Sequence, residues 1–524
     1  MAGGADDRRA LRRHGAPASR DEAVAALGSA LSAFRQAFRA APPDEAQRLR
    51  AEASELLTEG ATEYLAEVAP RLQARRRLSG GQARALGLSA GALLVGAALF
   101  PQAAALLLNA LFLAFTLGVL ALRAVVLRSS LGRTGRRPPP PLRDEDLPVV
   151  TILCPAYREA AGVPSLLRAL ALLDYPPDRL DVKLLLEADD SETLAVARRL
   201  TPAFPLDVVV VPDGGPRTKP KACNHGLWSA RGDLLVIYDV EDRPDPRQLR
   251  RAAEAFAAAP ADVVCLQARL NYYDRQRSWT TRLFAIEYAL LFDLVLPGLD
   301  RLGAPLPLGG TSNVFRTDAL IEVGGWDAYN VTEDADLGLR LARWGYRART
   351  FASTTYESAT PRPLPWMRQR SRWIKGYLQT WLVHVRALPP ARRWRFALTL
   401  HLLVGAVVVA ALLNPVFWTL FAVSLLYPSG GLDWLFPEPL GTMAALALLA
   451  GNGFQLWLFM LAPLRRGWLD LVVWGATAPF YWVLQSAAGY KAAWQFLSRP
   501  FYWEKTDHGA GEEAGTVHAR MSTA

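Results

Sequence analysis

Hydrophobic residues follow two different rhythms along this chain. Long apolar stretches with little charge occupy residues 84–127 and much of 396–490, whereas short apolar runs separated by polar turns fill the middle. A membrane-spanning helix needs about 20 apolar residues. Residues 84–127 are therefore long enough for two, turning near Pro101-Gln102 as a hairpin. The blocks 396–427, 438–462 and 469–490 predict three or four further spans. The first of them is long for one upright span and short for a hairpin.

Between these blocks, VVTILC (149–154), VKLLLE (182–187), DVVVV (207–211) and LLVIYD (234–239) read as buried strands, with helical stretches such as SLLRALALL (165–173) interleaved. Alternating strands and helices predict an α/β domain whose parallel sheet is covered on both faces. Ligands of such sheets bind beyond the carboxyl ends of the strands. Residues 20–80 are rich in Ala, Glu and Arg with helical periodicity, broken at Pro42-Pro43. RRPPPPLRDEDLP (136–148) reads as a stiff polar linker. The expected division is a cytoplasmic helical region at 1–82, a transmembrane hairpin at 84–127 and a linker at 128–147. The α/β domain then occupies 148–360, amphipathic interface helices 361–395, further spans 396–490 and a cytoplasmic tail 491–524.

Charge supports this layout. The net charge is +10, and basic clusters such as ARRR (74–77) and RTGRR (133–137) flank apolar segments. The positive-inside rule accounts for them, so nucleic acid is not an expected partner. MAGGADDRRALRRHG lacks the apolar core of a signal peptide. The N-terminus and the α/β domain are accordingly expected on the cytoplasmic side of the inner membrane. Cys154, Cys223 and Cys265 have neither metal-ligand nor disulfide spacing and read as buried packing residues.

The strand ends carry candidate chemistry. Pro155-Ala156-Tyr157-Arg158-Glu159 follows the first strand, Glu187-Ala188-Asp189-Asp190 the second, and Asp239-Val240-Glu241-Asp242 the fourth. Thr218-Lys219-Pro220-Lys221 lies between the third and fourth. Any one cluster reads as an ordinary turn or helix cap. Several carboxylates at one sheet edge repel unless a cation or a hydrogen-bonding ligand offsets them. Mg2+ binds through one or two carboxylates plus substrate phosphates. Asp239 and Glu241 supply such carboxylates, and Lys219 supplies charge for a phosphate. Neither a P-loop nor a dinucleotide fingerprint is present.

Two later stretches add to the set. In GGWDAYNVTEDADLGLRLARWGYR (324–347), Thr332 is placed as an N-cap, Glu333 and Asp334 fall in the first helical turn, and Leu337, Leu341 and Trp344 form the apolar face. Helix-dipole complementarity accounts for acids there; a carboxylate held ionised near a helix N-terminus also suits a general base. In TPRPLPWMRQRSRWIKGYLQTW (360–381), Arg and Lys alternate with Trp366, Trp373 and Trp381. That setting assigns Arg368, Arg370 and Lys375 to the membrane surface.

With these motifs in view, residues 148–376 resemble a family-2 glycosyltransferase of GT-A fold, in the membrane-embedded branch containing cellulose, hyaluronan and poly-N-acetylglucosamine synthases. CPAYREA is similar to the family's opening loop, TKPKACN to its Lys-bearing loop, and DVED to its metal-binding D-x-D. LGGTSNVF (308–315) resembles the acceptor loop, VTED the catalytic T-E-D, and QRSRW the Q-x-x-R-W of processive members. The resemblance implies a UDP-sugar donor, Mg2+ or Mn2+ on Asp239 and Glu241, and Asp334 as base beside Glu333. It places Tyr157, Glu159 and either Glu187 or Asp189 at the uracil end, and Lys219 with Gln369 and Arg372 near the diphosphate. Gly309, Gly310, Thr311 and Trp373 would face the acceptor. The implied reaction is inverting, UDP-sugar-dependent hexosyl transfer to a growing β-linked polysaccharide, with single transfer to a lipid acceptor as the alternative. Arg158 stands where the family usually has Asn, and Glu241 where it has Asp.

Overall fold

Among the described residues the middle of the chain forms eight strands in one sheet, the first four of them rich in Val, Ile and Leu. They are β1 (Val150–Ala156), β2 (Leu180–Glu187), β3 (Leu206–Val211), β4 (Leu234–Ile237), β5 (Arg243–Pro244), β6 (Val263–Tyr272), β7 (Asn313–Arg316) and β8 (Arg347–Glu357). The computed structural model describes residues 20–132, 139–386, 394–427, 434–502 and 504. The MAGGADDRRALRRHG stretch, the RTGRR cluster and the tail beyond residue 504 lie outside the described residues.

The sheet order is β3-β2-β1-β4-β7-β6-β8-β5. β1 to β4 are mutually parallel, as the strand–helix alternation predicts. Their near-continuous apolar runs follow from burial on both faces; Val150, Ile152, Leu153 and Cys154 are all fully buried. All three cysteines are buried and free. The second half departs from the expected parallel pattern. β7 runs antiparallel to both β4 and β6, and β8 returns parallel to β6. β5 and β7 have two and four residues, too short for a hydrophobic period to register.

Four helices among the described residues are long and apolar enough to cross a membrane: Gly80–Leu99, Pro101–Leu131, Trp394–Leu426 and Leu440–Arg466. The block that looked long for one span is one 33-residue helix, with a π-helical turn at Leu400–Gly405. Arg466, at the end of another, pairs with Asp293 at 2.6 Å and so ties that helix end to the α/β domain. The N-terminal helices Arg20–Ala40, Pro43–Glu52 and Ser54–Val68 pack onto the same domain. Leu31, Leu57 and Trp228 share one buried cluster, and Arg50 pairs with Asp207 of β3. The architecture is thus a mixed-sheet α/β domain flanked by apolar helices and preceded by a helical region.

Candidate active site

β4 ends at Ile237, which delivers Asp239 to the edge of the sheet two residues later. The TKPKACN stretch, expected as a loop, instead opens the helix Lys219–Trp228, with Pro220 in its first turn. Proline suits that position because its missing N–H would have no helical partner there. The Lys219 ammonium consequently reaches Asp239 Oδ2 at 2.7 Å and Gly310 O at 2.8 Å. A Cβ built on Gly310 would stand 3.5 Å from Asp334 Oδ2 and 4.0 Å from Lys219 Nζ. Asp239, Lys219, Gly310 and Asp334 therefore border one small space, although 95 residues separate the two aspartates in sequence (334 − 239).

Electrostatics in this space are strained. Burial pushes Glu333 up to about 8, and repulsion from Asp334 adds to the shift. Burial likewise pushes Asp334 up to about 6, against the pull of the Ala335 amide and Lys219. Burial alone would lower the Lys219 pKa, but Asp239 and Glu333 outweigh it and hold the ammonium protonated. Thr332 occupies the N-cap position without a side-chain cap bond. Its side chain is pressed against Gly376, where an added Cβ would lie 2.4 Å from Thr332 Oγ1.

Two further carboxylates join the cleft. Asp242 is buried; its Oδ2 accepts from the Asp239 amide at 2.8 Å and contacts the Thr311 hydroxyl, while its Oδ1 has no hydrogen-bond partner. Glu357 ends β8, and its carboxyl is raised by burial and then by Asp242, Glu241 and Asp239. An acid directly after a strand is the signal that singled out the other clusters. It went unused at Glu357 because β8 was not recognised as a strand. Asp239 and Glu241 offer the one or two carboxylates a hard divalent ion takes beside phosphates. No group of three His, Cys, Asp or Glu side chains among the described residues is arranged to hold a metal unaided.

At the β1 and β2 ends, the Tyr157 hydroxyl donates to Asp189 Oδ2 at 3.2 Å and accepts from Arg217 at 3.1 Å. Arg217 also pairs with Asp189 at 2.9 Å; its place just before Thr218-Lys219 was the available sequence clue. Glu187 turns elsewhere, into a buried pair with Lys221 at 3.3 Å. The Glu159 amide donates to Thr193 Oγ1. Arg158 has a positive φ of 54°, a conformation in which Asn is enriched among non-glycine residues.

The helix Pro363–Val385 borders the same space, with Gly376 against Thr332. Gln369 and Arg372 are buried on it. Burial lowers the Arg372 pKa, while Glu333, Asp239, Glu241 and Asp334 act in the opposite direction. Pro500, Tyr502 and Glu504 lie along the same face. Gln379, Lys375 and Arg372 donate to the carbonyls of Pro500, Tyr502 and Glu504 at 3.1, 2.8 and 3.2 Å. Trp373 packs against Phe284 and Tyr288, with the Arg370 guanidinium 4.6 Å from its ring centroid. The assignment of Arg370 and Lys375 to the membrane surface is corrected here. Both are buried; Arg370 forms a paired contact with Glu287 at 2.9 and 2.6 Å. A basic-aromatic composition does not reveal which helical face a charge occupies, and partners 83 residues away decided it. Arg368 remains more than half exposed.

A family model described as Glycosyl transferase family group 2 matches residues 234–484. Probable glycosyltransferase YdaM of Bacillus subtilis is 24% identical over 235 residues, covering 44% of this chain and 56% of that protein. Beta-monoglucosyldiacylglycerol synthase of Synechocystis sp. is 27% identical over 422 residues, covering 76% of this chain and 82% of that protein. Cellulose synthase 1 catalytic subunit of Komagataeibacter xylinus is 27% identical over 253 residues, covering 47% and 33%. The chain thus spans about half of the first relative and a third of the last. Among solved structures, the mannosyltransferase PcManGT of Pyrobaculum calidifontis, in complex with GDP-Man and Mn2+, aligns with TM-score 0.48 at 21% identity, covering 76% of this chain and 98% of that one.

Proposed function

We propose that the chain carries a family-2 glycosyltransferase domain of GT-A type beside membrane helices and performs inverting sugar transfer from a UDP-sugar to an acceptor hydroxyl at the bilayer surface. The observation that carries the reading is the space bounded by Lys219, Asp239, Gly310 and Asp334. In this reading Tyr157, Asp189 and Arg217 receive the uracil end, with Glu159 nearby, and Lys219 and Arg372 neutralise the diphosphate, a guanidinium being suited to bidentate phosphate contact. Gln369 lies beside Arg372 on the same helix. Asp239 and Glu241 would hold Mg2+ or Mn2+, which would supply positive charge beside a diphosphate. Asp334 takes the proton of the acceptor hydroxyl as its oxygen attacks the anomeric carbon from the opposite face. One displacement through an oxocarbenium-like state converts an α-linked donor to a β-linked product. Gly310 and Thr311 line the acceptor's approach, and Glu333 sets the charge felt by Asp334.

The acceptor we propose is the end of a growing β-linked polysaccharide, as the Q369-R-S-R-W373 sequence implies, made at the cytoplasmic face of the inner membrane. A second reading, one transfer to a glycerolipid, is favoured by the likeness to beta-monoglucosyldiacylglycerol synthase over 76% of this chain. The test uses the full chain in lipid nanodiscs with individually labelled UDP-sugars and Mn2+. Label in an alkali-stable polymer supports the first reading, and label in one lipid species the second. Binding of UDP without consumption of any UDP-sugar would overturn both.

A further inference from the structure

The N-terminal helical region does not sit at the periphery of the catalytic domain. Its last helix, Ser54–Val68, and the turn that follows contact the loop leading into Glu333 and Asp334. Asn224, buried on the Lys219–Trp228 helix, forms the junction. Its Nδ2 donates to Ala61 O at 2.9 Å and Trp326 O at 2.7 Å, and its Oδ1 accepts from the Trp326 amide at 2.9 Å. Asp327, fully buried, accepts from the Ala74 amide at 2.6 Å and the Tyr329 amide at 3.0 Å. The Thr218 hydroxyl, one residue before Lys219, donates to Ala328 O at 2.9 Å.

Backbone conformation shows how closely these parts fit. Gly324 and Gly325 have φ of +91° and +64°, a region that glycine enters without steric penalty. A Cβ on Gly324 would lie 2.8 Å from Leu65 Cδ1, and one on Gly325 2.5 Å from Asn224 Oδ1. Beyond the junction, the Pro363–Val385 helix grips the other end of the loop. Thr380 accepts from Asn330 at 2.9 Å and Gln379 from the Val331 amide at 3.2 Å. The base-bearing helix starts two residues later.

We propose that residues 54–77 are a built-in brace of the catalytic site, and that Asn224 and Asp327 are positioning residues that transmit its placement to Glu333 and Asp334. The inference rests on the proposed role of Asp334 as base. Neither residue touches the substrates; both set where the loop between the two halves of the cleft lies. A brace of this kind places the acceptor-side carboxylate while leaving the uracil end to Tyr157 and Asp189.

The test compares Asp327→Ala and Asn224→Asp with Arg50→Ala, which removes a contact that the same helical region makes to β3. Full-length proteins in nanodiscs are assayed for turnover, UDP affinity and hydrogen–deuterium exchange across 326–336. The two junction variants are expected to lose about tenfold or more in kcat while donor KM and UDP Kd stay within about twofold. Exchange across 326–336 is expected to rise in both, and Arg50→Ala to match the wild type in kcat and in exchange there. Equal loss of kcat in Arg50→Ala, or unchanged exchange across 326–336 in both junction variants, overturns the brace. If Asp327→Ala does not fold, Asn224→Asp decides alone. The exchange readout separates the two claims, since it reports the loop's placement even if Asp334 proves not to be the base.

Discussion

The helix Glu333–Arg343 carries two kinds of buried acid within one turn. Glu333 and Asp334 are raised by burial and left with repelling neighbours. Asp336, two residues on, is fully buried too, yet its carboxyl is held below the usual range. Burial would raise it, but Arg340 and His384 more than reverse the shift. The Arg340 guanidinium donates to Asp336 Oδ2 at 3.1 Å. His384 Nδ1 accepts from Arg343 at 2.9 Å, so its other nitrogen bears the proton that reaches Asp336 Oδ1, also at 2.9 Å. A buried carboxylate given its full set of partners joins two helices. One left short of partners is available for a substrate's proton.

The sharpest way to break this comparison is to neutralise one acid of each kind. Asp334→Asn should reduce transfer by about a thousandfold, the scale of losing a general base, with UDP affinity nearly unchanged by calorimetry. Its thermal midpoint should hold or rise, because a strained charge is removed. Asp336→Asn should behave in the opposite sense. It leaves Arg340 buried without its counter-charge, a loss of about 3–5 kcal/mol, read as a lower melting temperature or failure to extract folded protein. A stable Asp336→Asn enzyme paired with an unstable Asp334→Asn would invert the assignment.

Proton linkage gives a second contrast. Glu333 and Asp334 sit at about 8 and about 6, above the ordinary 4.5 and 3.8 expected in the unfolded chain. Across that window the native state holds more protons than the unfolded state, so stability falls as pH rises. In the proposed mechanism catalysis runs the other way, since Asp334 acting as base must be ionised to accept a proton. Turnover in nanodiscs should therefore climb as pH passes about 6 while the melting temperature declines. Glu333→Gln should flatten the stability slope; an unchanged slope would mean that the pair does not titrate as placed.

Much of this arrangement was legible in the chain. Tyr157, Lys219, Asp239 and Asp334 each follow a recognisable strand end or open a helix, and local pattern is enough to find such positions. The parallel half of the sheet was equally visible, because strands buried on both faces are written as unbroken apolar runs. What stayed hidden depends on partners distant in sequence. Arg370 reads as an interface charge until Glu287 is brought beside it. The short strands β5 and β7 have no period to detect, and β8 carries no Val, Ile or Leu to mark it as a strand, so the acid at its end does not group with the others in sequence. The N-terminal helices could be drawn as helices, but nothing local placed Ala61 and Ala74 against the catalytic loop.

The smallest expected effect tests the same distinction at the donor end. Glu187 and Asp189 are two residues apart, and family resemblance did not choose between them. Glu187 is enclosed with Lys221, whose ammonium also reaches the carbonyls of Pro212 and Gly214 at 2.8 and 3.1 Å. Burial raises its carboxyl and Lys221 pulls it back. Asp189 is exposed and carries the Tyr157–Arg217 pair. Glu187→Gln should therefore leave UDP affinity within about twofold and soften only the packing beneath the site. Asp189→Ala should weaken UDP binding by up to about tenfold, the scale of one or two hydrogen bonds. Isothermal titration of both variants with UDP decides the matter, and a larger loss in Glu187→Gln would return the uracil contact to the buried acid.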